Sequence, residues 1–104
     1  AMERTHRWLK VCTEEHKRKE DQSLFGIVQG SMYEHLREES VAAVTAFDLP
    51  GYAVGGVAVG EDRRTIERIV AHTTPLLPRE RPRYLMGVGT PWDIVYAIRC
   101  GIDM

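Results

Sequence analysis

Cysteine is scarce in this sequence: two residues, Cys12 and Cys100, among 104. They lie far apart and without C-x-x-C spacing, which argues against a disulfide framework and against a complete zinc site within the chain. A reducing compartment follows from that usage. Long apolar runs are missing too, and none reaches the length needed to span a bilayer. The opening stretch with Arg4, His6, Arg7, Trp8 and Lys10 holds no apolar signal core, so the expected location is cytoplasmic. Charge of one sign is also lacking: 14 Lys and Arg against 15 Asp and Glu leave −1. Composition therefore carries no nucleic-acid signature, although a basic footprint can be local. The short clusters Lys17-Arg18-Lys19, Arg63-Arg64, and Arg79, Arg81 and Arg83 read first as solvated surface. Ala1 ahead of Met2 reads as a residue left by tag removal.

What is present is the composition of a globular chain, 43% hydrophobic and 28% charged. Strand-like and helix-like segments alternate. Met2 to about Glu20 predicts a helix with a semi-apolar stripe at Trp8, Cys12 and His16. Leu24 to Gln29 reads as a buried strand. Ser31 and Glu34 have the spacing of a capping box, opening a helix with a face of Leu36, Ala43, Val44 and Phe47 that ends before Pro50-Gly51. Tyr52 to Val59 is nearly continuously apolar, as in a strand covered on both faces. Glu61 and Asp62 open the next helix, whose face is Ile66, Ile69 and Val70 and which Pro75 and Pro78 stop. Tyr84 to Val88 is a third strand. Thr90 is an N-cap with Pro91 at N1, Ile94, Val95 and Ile98 form a buried face, and Gly101 suits the C-terminal cap. Ile102-Asp103-Met104 resembles the start of a fourth strand. Three βα units follow a leading helix, which predicts a parallel α/β sheet. A closed (βα)8 barrel needs eight units and about 250 residues, so this chain corresponds to a partial TIM barrel or to a sheet completed by further copies.

In parallel α/β folds ligand groups sit where strands end. Those points are Gln29-Gly30-Ser31, Gly55-Gly56 through Gly60-Glu61, and Gly87-Val88-Gly89-Thr90. Gln29 offers donors and acceptors suited to a purine edge, or else satisfies loop backbone. Glu61 can fix a peptide unit or accept from a base, or is the acidic start of a helix. Met86 can pack on an aromatic ring, or belongs to the core. The glycines alone equally suit a phosphate-binding barrel. Gly87-Val88-Gly89-Thr90 lacks the third glycine of G-x-G-x-x-G, which disfavours a dinucleotide site. His6, His16, His35 and His72 lack metal-ligand spacing and read as helix-face residues.

Three segments taken together are more specific. Leu24 to Gly30 resembles the FGIVQGG strand of tRNA-guanine transglycosylases. Gly51 to Glu61 resembles their GYAIGGLxVGE segment, and Pro82 to Pro91 their KPRYLMGVGTP segment. Gly101 to Met104 resembles the run into their GxDMFDCVxPTR motif. Order and spacing agree, and the likeness extends from about Arg4 to Met104.

The resemblance implies an enzyme, a pentosyltransferase that replaces guanine at the tRNA wobble position with a 7-deazaguanine through a covalent ribosyl-enzyme intermediate, in queuosine biosynthesis. It implies that residues 1–104 are part of the barrel domain and carry part of the base pocket. Gln29 corresponds to the glutamine that bonds the base and Gly56 to the glycine whose backbone contacts it. Val57 and Ala58 correspond to the peptide that reads the 7-substituent, and Glu61 to the carboxylate that steadies that peptide. Met86 corresponds to the residue packed on the base, with Gly87 beside it. Gly87, Val88, Gly89, Thr90, Pro91, Trp92 and Asp93 correspond to a tRNA-contacting loop. The implied partners are tRNA with a GUN anticodon and preQ1 or guanine, with a homodimer at full length.

Some positions depart from the family pattern. Ser31 replaces a frequent Gly, and Val57 a usual Leu. Val59 is the bulkier residue of bacterial members, which favours preQ1 over queuine. The nucleophilic aspartate is expected just beyond Met104, and Asp103 is not assigned that role. No catalytic residue and no metal ligand is therefore expected in this chain; zinc is expected from residues downstream. An isolated chain of this extent is expected to be inactive and, with an unpaired strand edge, to self-associate. A non-catalytic subunit or degenerate paralogue that binds base or tRNA, and an archaeosine-type enzyme, are the rival readings. An unrelated phosphate-binding barrel is a weaker third.

Overall fold

A computed structural model describes residues 1–104, all of the chain. Helix α1 spans Met2–Glu15, strand β1 Phe25–Val28, α2 Glu34–Thr45, β2 Gly51–Val54, α3 Arg63–Thr73, β3 Arg83–Leu85 and α4 Pro91–Cys100, with a 3-10 turn at Thr74–Leu76 after α3. The strands form one parallel sheet in the order β1-β2-β3. Val28 stands opposite Val54, and Val54 opposite Leu85. Parallel neighbours need crossovers, and α2 and α3 supply them. The fold class is thus α/β with a parallel sheet.

Successive strand residues alternate between faces. Val28, Val54 and Leu85 point to the helix-covered face and join Val41 and Val44 of α2, Ile69 and Val70 of α3 and Ala97 of α4 in one core. Two strand glycines are small because neighbours occupy the space of a side chain. A Cβ on Gly26 would lie 2.5 Å from Val44 Cγ1, and one on Gly51 2.3 Å from the Phe25 ring. Buried Tyr52 fastens the α2–β2 connection: its hydroxyl donates to the Phe47 carbonyl at 2.8 Å and accepts from the Leu49 N–H at 3.2 Å.

Several sequence expectations need correction. α1 ends at Glu15 rather than near Glu20, and it buries Leu9, not the Trp8–Cys12–His16 stripe; Trp8 is 64% exposed. Ser31 does not cap α2. It sits in the left-handed region at φ 52°, and the helix begins at Glu34 after an N-cap, Tyr33, that makes no side-chain bond. The buried face of α2 is Arg37, Ser40, Val41 and Val44, so polar groups occupy part of the expected apolar face. β2 stops at Val54 and not Val59, because Gly56 turns to φ 64° and leaves the ladder. β3 likewise stops at Leu85, short of Gly87 at φ 83°. Ile94, Val95 and Ile98 of α4 are 49%, 55% and 61% exposed; the helix turns Ala97 to the core instead.

Other expectations hold. Asp62 caps α3 by accepting from the Thr65 N–H. Thr90 and Asp93 form a capping box with Pro91 at N1, and Gly101 closes α4 at φ 104°. Beyond α4, the Met104 N–H donates to the Arg83 carbonyl and the Leu85 N–H to the Met104 carbonyl. That reciprocal pair is parallel pairing at the β3 edge opposite β2, the beginning of a fourth strand in hydrogen bonding if not in length.

Candidate functional site

The register brings Gln29 and Met86 level with Gly55, the residue before Gly56. Val28, Val54 and Leu85 are the last strand residues of the three strands and lie side by side. The next residues, Gln29, Gly55 and Met86, therefore leave the sheet in one row and turn to the face that α2, α3 and α4 do not cover. The Gln29 side chain lies along the Gly55–Gly56 backbone. A Cβ on Gly56 would stand 2.5 Å from Gln29 Oε1, and one on Gly55 3.6 Å from Nε2. A side chain at Gly56 would be strained by the positive φ of 64° and would have to displace the Gln29 carboxamide. Met86 is half-buried and tied to β2 through its N–H, which donates to the Val54 carbonyl at 3.1 Å.

Past Gly56 the chain runs across the strand ends toward β3. Val57 is buried, Ala58 is exposed, and Gly87 approaches Ala58 so closely that a Cβ there would be 3.2 Å from Ala58 Cβ. Glu61 is half-buried, and its carboxylate accepts the Val59 N–H at 2.8 Å, one peptide further along than Val57–Ala58. The Val59 side chain stands out at 81% exposure. The N–H groups of Gly56, Val57 and Ala58 donate to no protein acceptor, leaving three successive donors free at this end of the sheet.

Residues 87–93 connect β3 to α4 on the same side. The Thr90 N–H and hydroxyl both donate to the Asp93 carboxylate, and the Asp93 N–H donates back to Thr90 Oγ1. Trp92 is exposed; the Arg63 guanidinium covers its ring at 4.9 Å, and its indole N–H donates to Glu67 at 3.2 Å. The capping box takes up the Thr90 and Asp93 N–H groups, Pro91 has none, and Arg63 is paired with Glu67 at 3.0 Å.

Two residues of this site escaped the sequence reading. Arg37 is wholly buried, and no carboxylate pairs with it. Its Nε donates to the Ser31 carbonyl at 2.9 Å, Nη1 to the carbonyls of Gly55 at 2.7 Å and Val28 at 3.3 Å, and Nη2 to that of Gly56 at 3.0 Å. Burial pulls the guanidinium down to about 10, with the charge of Glu61 opposing, so it remains a cation at neutral pH. Ser40, one turn on, accepts the Gln29 N–H at 3.0 Å and bonds His6 Nε2 at 2.8 Å. A signal for both was available: positions 37, 40, 41 and 44 repeat at helical spacing, and a polar residue on such a face needs buried acceptors.

No three His, Cys, Asp or Glu side chains converge to hold a metal ion. The zinc that the family resemblance implies finds no donor set among these residues. No helix is long and apolar enough to cross a membrane.

A family model described as queuine tRNA-ribosyltransferase matches residues 1–104. Among similar proteins, the queuine tRNA-ribosyltransferase of Cyanothece sp. is 59% identical over all of this chain and 27% of the relative. That of Halalkalibacterium halodurans is 53% identical, again over the whole chain and 27% of the relative. The Natranaerobius thermophilus protein of the same name is 55% identical over the whole chain and 28% of the relative. This chain belongs to the queuine tRNA-ribosyltransferase family. It spans about 27% of the length of these curated relatives.

Proposed function

We propose that the chain is the base-recognition segment of a longer tRNA-guanine transglycosylase, with residues 1–104 forming one arc of its (βα)8 barrel. The whole protein then exchanges the wobble guanine of tRNA with a GUN anticodon for a 7-deazaguanine such as preQ1. The observation that carries this reading is the row at the strand ends: Gln29 lying on Gly56, three free amides from Gly56 to Ala58, and Met86 abreast of them.

A purine-like ring offers a carbonyl oxygen on one edge and two flat faces. The Gln29 carboxamide and the Gly56 N–H bind the edge, and the thioether of Met86 packs on a face. The run from Val57 to Val59, steadied through Glu61 and the Val59 N–H, borders the 7-substituent. A bulky Val59 at that rim favours a small substituent. Residues 87–93, with the α4 start, contact tRNA backbone. The group that attacks the ribose C1′ is an aspartate outside this chain, and so are the zinc ligands. The residues in hand bind and orient the leaving and incoming bases, which contributes through position and not through a covalent bond.

The test is incorporation of labelled guanine into tRNA by the full-length protein that carries this chain. Gln29→Ala is expected to lower kcat/KM for the base by roughly 100-fold, the loss typical of one fixed polar donor, and to leave tRNA binding in place. Absence of incorporation by the unaltered protein would overturn the reading. The 104-residue chain alone is expected to be inactive and, having β1 unpaired on one side, to self-associate in sedimentation. In the whole protein a homodimer and a cytoplasmic location fit the same reading.

A further inference from the structure

We propose that Arg37 is the positioning residue of the base pocket: by drawing the Gly55 and Gly56 carbonyls back into the protein, it turns the Gly56 and Val57 amides outward to the substrate. This rests on the functional reading above and deepens it.

The geometry begins with the peptide bond. In a trans peptide the C=O and the following N–H point in opposite directions. The Gly55 carbonyl is bonded to Arg37 Nη1 at 2.7 Å, so the Gly56 N–H points away from Arg37. The Gly56 carbonyl is bonded to Nη2 at 3.0 Å, so the Val57 N–H points away as well. Both of those amides lack a protein acceptor. The same guanidinium holds Val28 and Ser31, on the first strand and the loop after it. Four carbonyls from two strand ends thus converge on one buried cation.

Only a planar fork with donors on three nitrogens can span these acceptors; a lysine offers one nitrogen. Neighbouring groups support the same arrangement. Ser40, on the same face of α2, fixes the backbone of Gln29. Glu61, the acid that the charge of Arg37 feels most, fixes the chain beyond Ala58. Arg37 is wholly buried, with its guanidinium taken up by four carbonyls, so it offers no free donor to a base. It acts through the orientation of the Gly55–Gly56 backbone.

The experiment is guanine exchange by the full-length protein with Arg37→Lys, compared with Tyr52→Phe. Tyr52 lies at the opposite end of β2, so its variant controls for lost stability alone. Arg37→Lys is expected to raise KM for the base and lower kcat/KM by roughly 100-fold, as small misplacements do, while the affinity for tRNA stays within about twofold. Tyr52→Phe is expected to change melting temperature and not KM for the base. An Arg37→Lys protein with unchanged KM for guanine overturns the proposal and leaves the transglycosylase reading standing. An unaltered protein without exchange overturns that reading first. If Arg37→Lys fails to fold, 15N spectra of the unaltered protein decide. A slowly exchanging Arg37 Nε–H and Gly56 and Val57 amides that shift on adding guanine support the proposal. Rapid Nε–H exchange or unmoved amides overturn it.

Discussion

The first two strands and the third end in different ways. β1 and β2 run into a buried guanidinium that takes four of their terminal carbonyls. β3 runs into a loop held from outside, by a Thr90–Asp93 capping box and by Trp92 resting between Arg63 and Glu67, all at the surface. One end is organised by a cation with no access to water, the other by caps in contact with it. Hydrogen bonds made without competing water hold their geometry more tightly than solvated ones. The difference suits the division of labour proposed here. A small rigid ring needs donors at set positions, whereas a polynucleotide backbone needs a surface that adapts.

That contrast makes a quantitative claim. Arg37→Ala removes a donor from each of four strand-end carbonyls and leaves an unfilled space, which is expected to cost about 3 kcal/mol. Urea unfolding of the chain checks it, and a cost below about 1 kcal/mol would erase the distinction between the two ends. Gly56→Ala is next. Its φ of 64° and the 2.5 Å approach of Gln29 Oε1 to a new Cβ force strain and displace the carboxamide. The expected loss is about 1–2 kcal/mol. It comes with a fall in base exchange larger than the stability loss explains, measured at a temperature where the variant stays folded.

The sequence carried much of the architecture and little of this contrast. Alternation of apolar runs with capped helices was enough for three βα units, because Pro91, Gly101 and Asp62 act through local chemistry that neighbouring residues reveal. Strand ends were overestimated at both Val59 and Val88. Apolar continuity marks a segment as suited to a sheet, but a glycine at positive φ ends the ladder, and the choice between extended and turned glycine depends on what binds its carbonyl. At Gly56 that carbonyl is bound by Arg37, which comes from another element entirely. The α4 face was misjudged for a related reason. Ile94, Val95 and Ile98 form an apolar stripe, yet the flank that packs on α3 carries Ala97 and the Tyr96 hydroxyl, which donates to the Glu67 carbonyl. Periodicity locates a stripe, not what lies against it. Gln29 and Met86 end neighbouring strands level with Gly55, which motif spacing along parallel strands makes legible; Arg37 and Ser40 stay hidden because a polar residue on a helix reads as surface until its acceptors are seen.

At the solvated end smaller effects are expected. Thr90→Ala removes the acceptor for the Asp93 N–H and one partner of the Asp93 carboxylate. The cost is about 1 kcal/mol, that of an N-cap, well below the cost at Arg37. Urea unfolding gives this value too, and hydrogen exchange locates it: the first turn of α4 is expected to lose protection while the Gly55–Gly56 region keeps its own. Equal loss of protection at both places would mean that the two ends are one unit.

The smallest expected effect concerns pH. The Thr65 N–H donating to its carboxylate, with the Thr65 side chain next, holds Asp62 below the usual carboxylate range, against a smaller opposing contribution from burial and with still weaker help from Arg64. Its folded pKa is therefore lower than its unfolded one, so the folded state binds the proton less well. The stabilisation is fully present above the unfolded value near pH 4 and is lost as pH falls through the folded value. Asp62 is exposed, and the change is accordingly local: fraying of the first turn of α3 on acidification, read from the amide exchange of Thr65 and Ile66. Asp62→Asn keeps an acceptor for the Thr65 N–H and removes the titration, so it is expected to flatten that acid dependence with little change at neutral pH. If the fraying persists unchanged in Asp62→Asn, another carboxylate governs the start of α3.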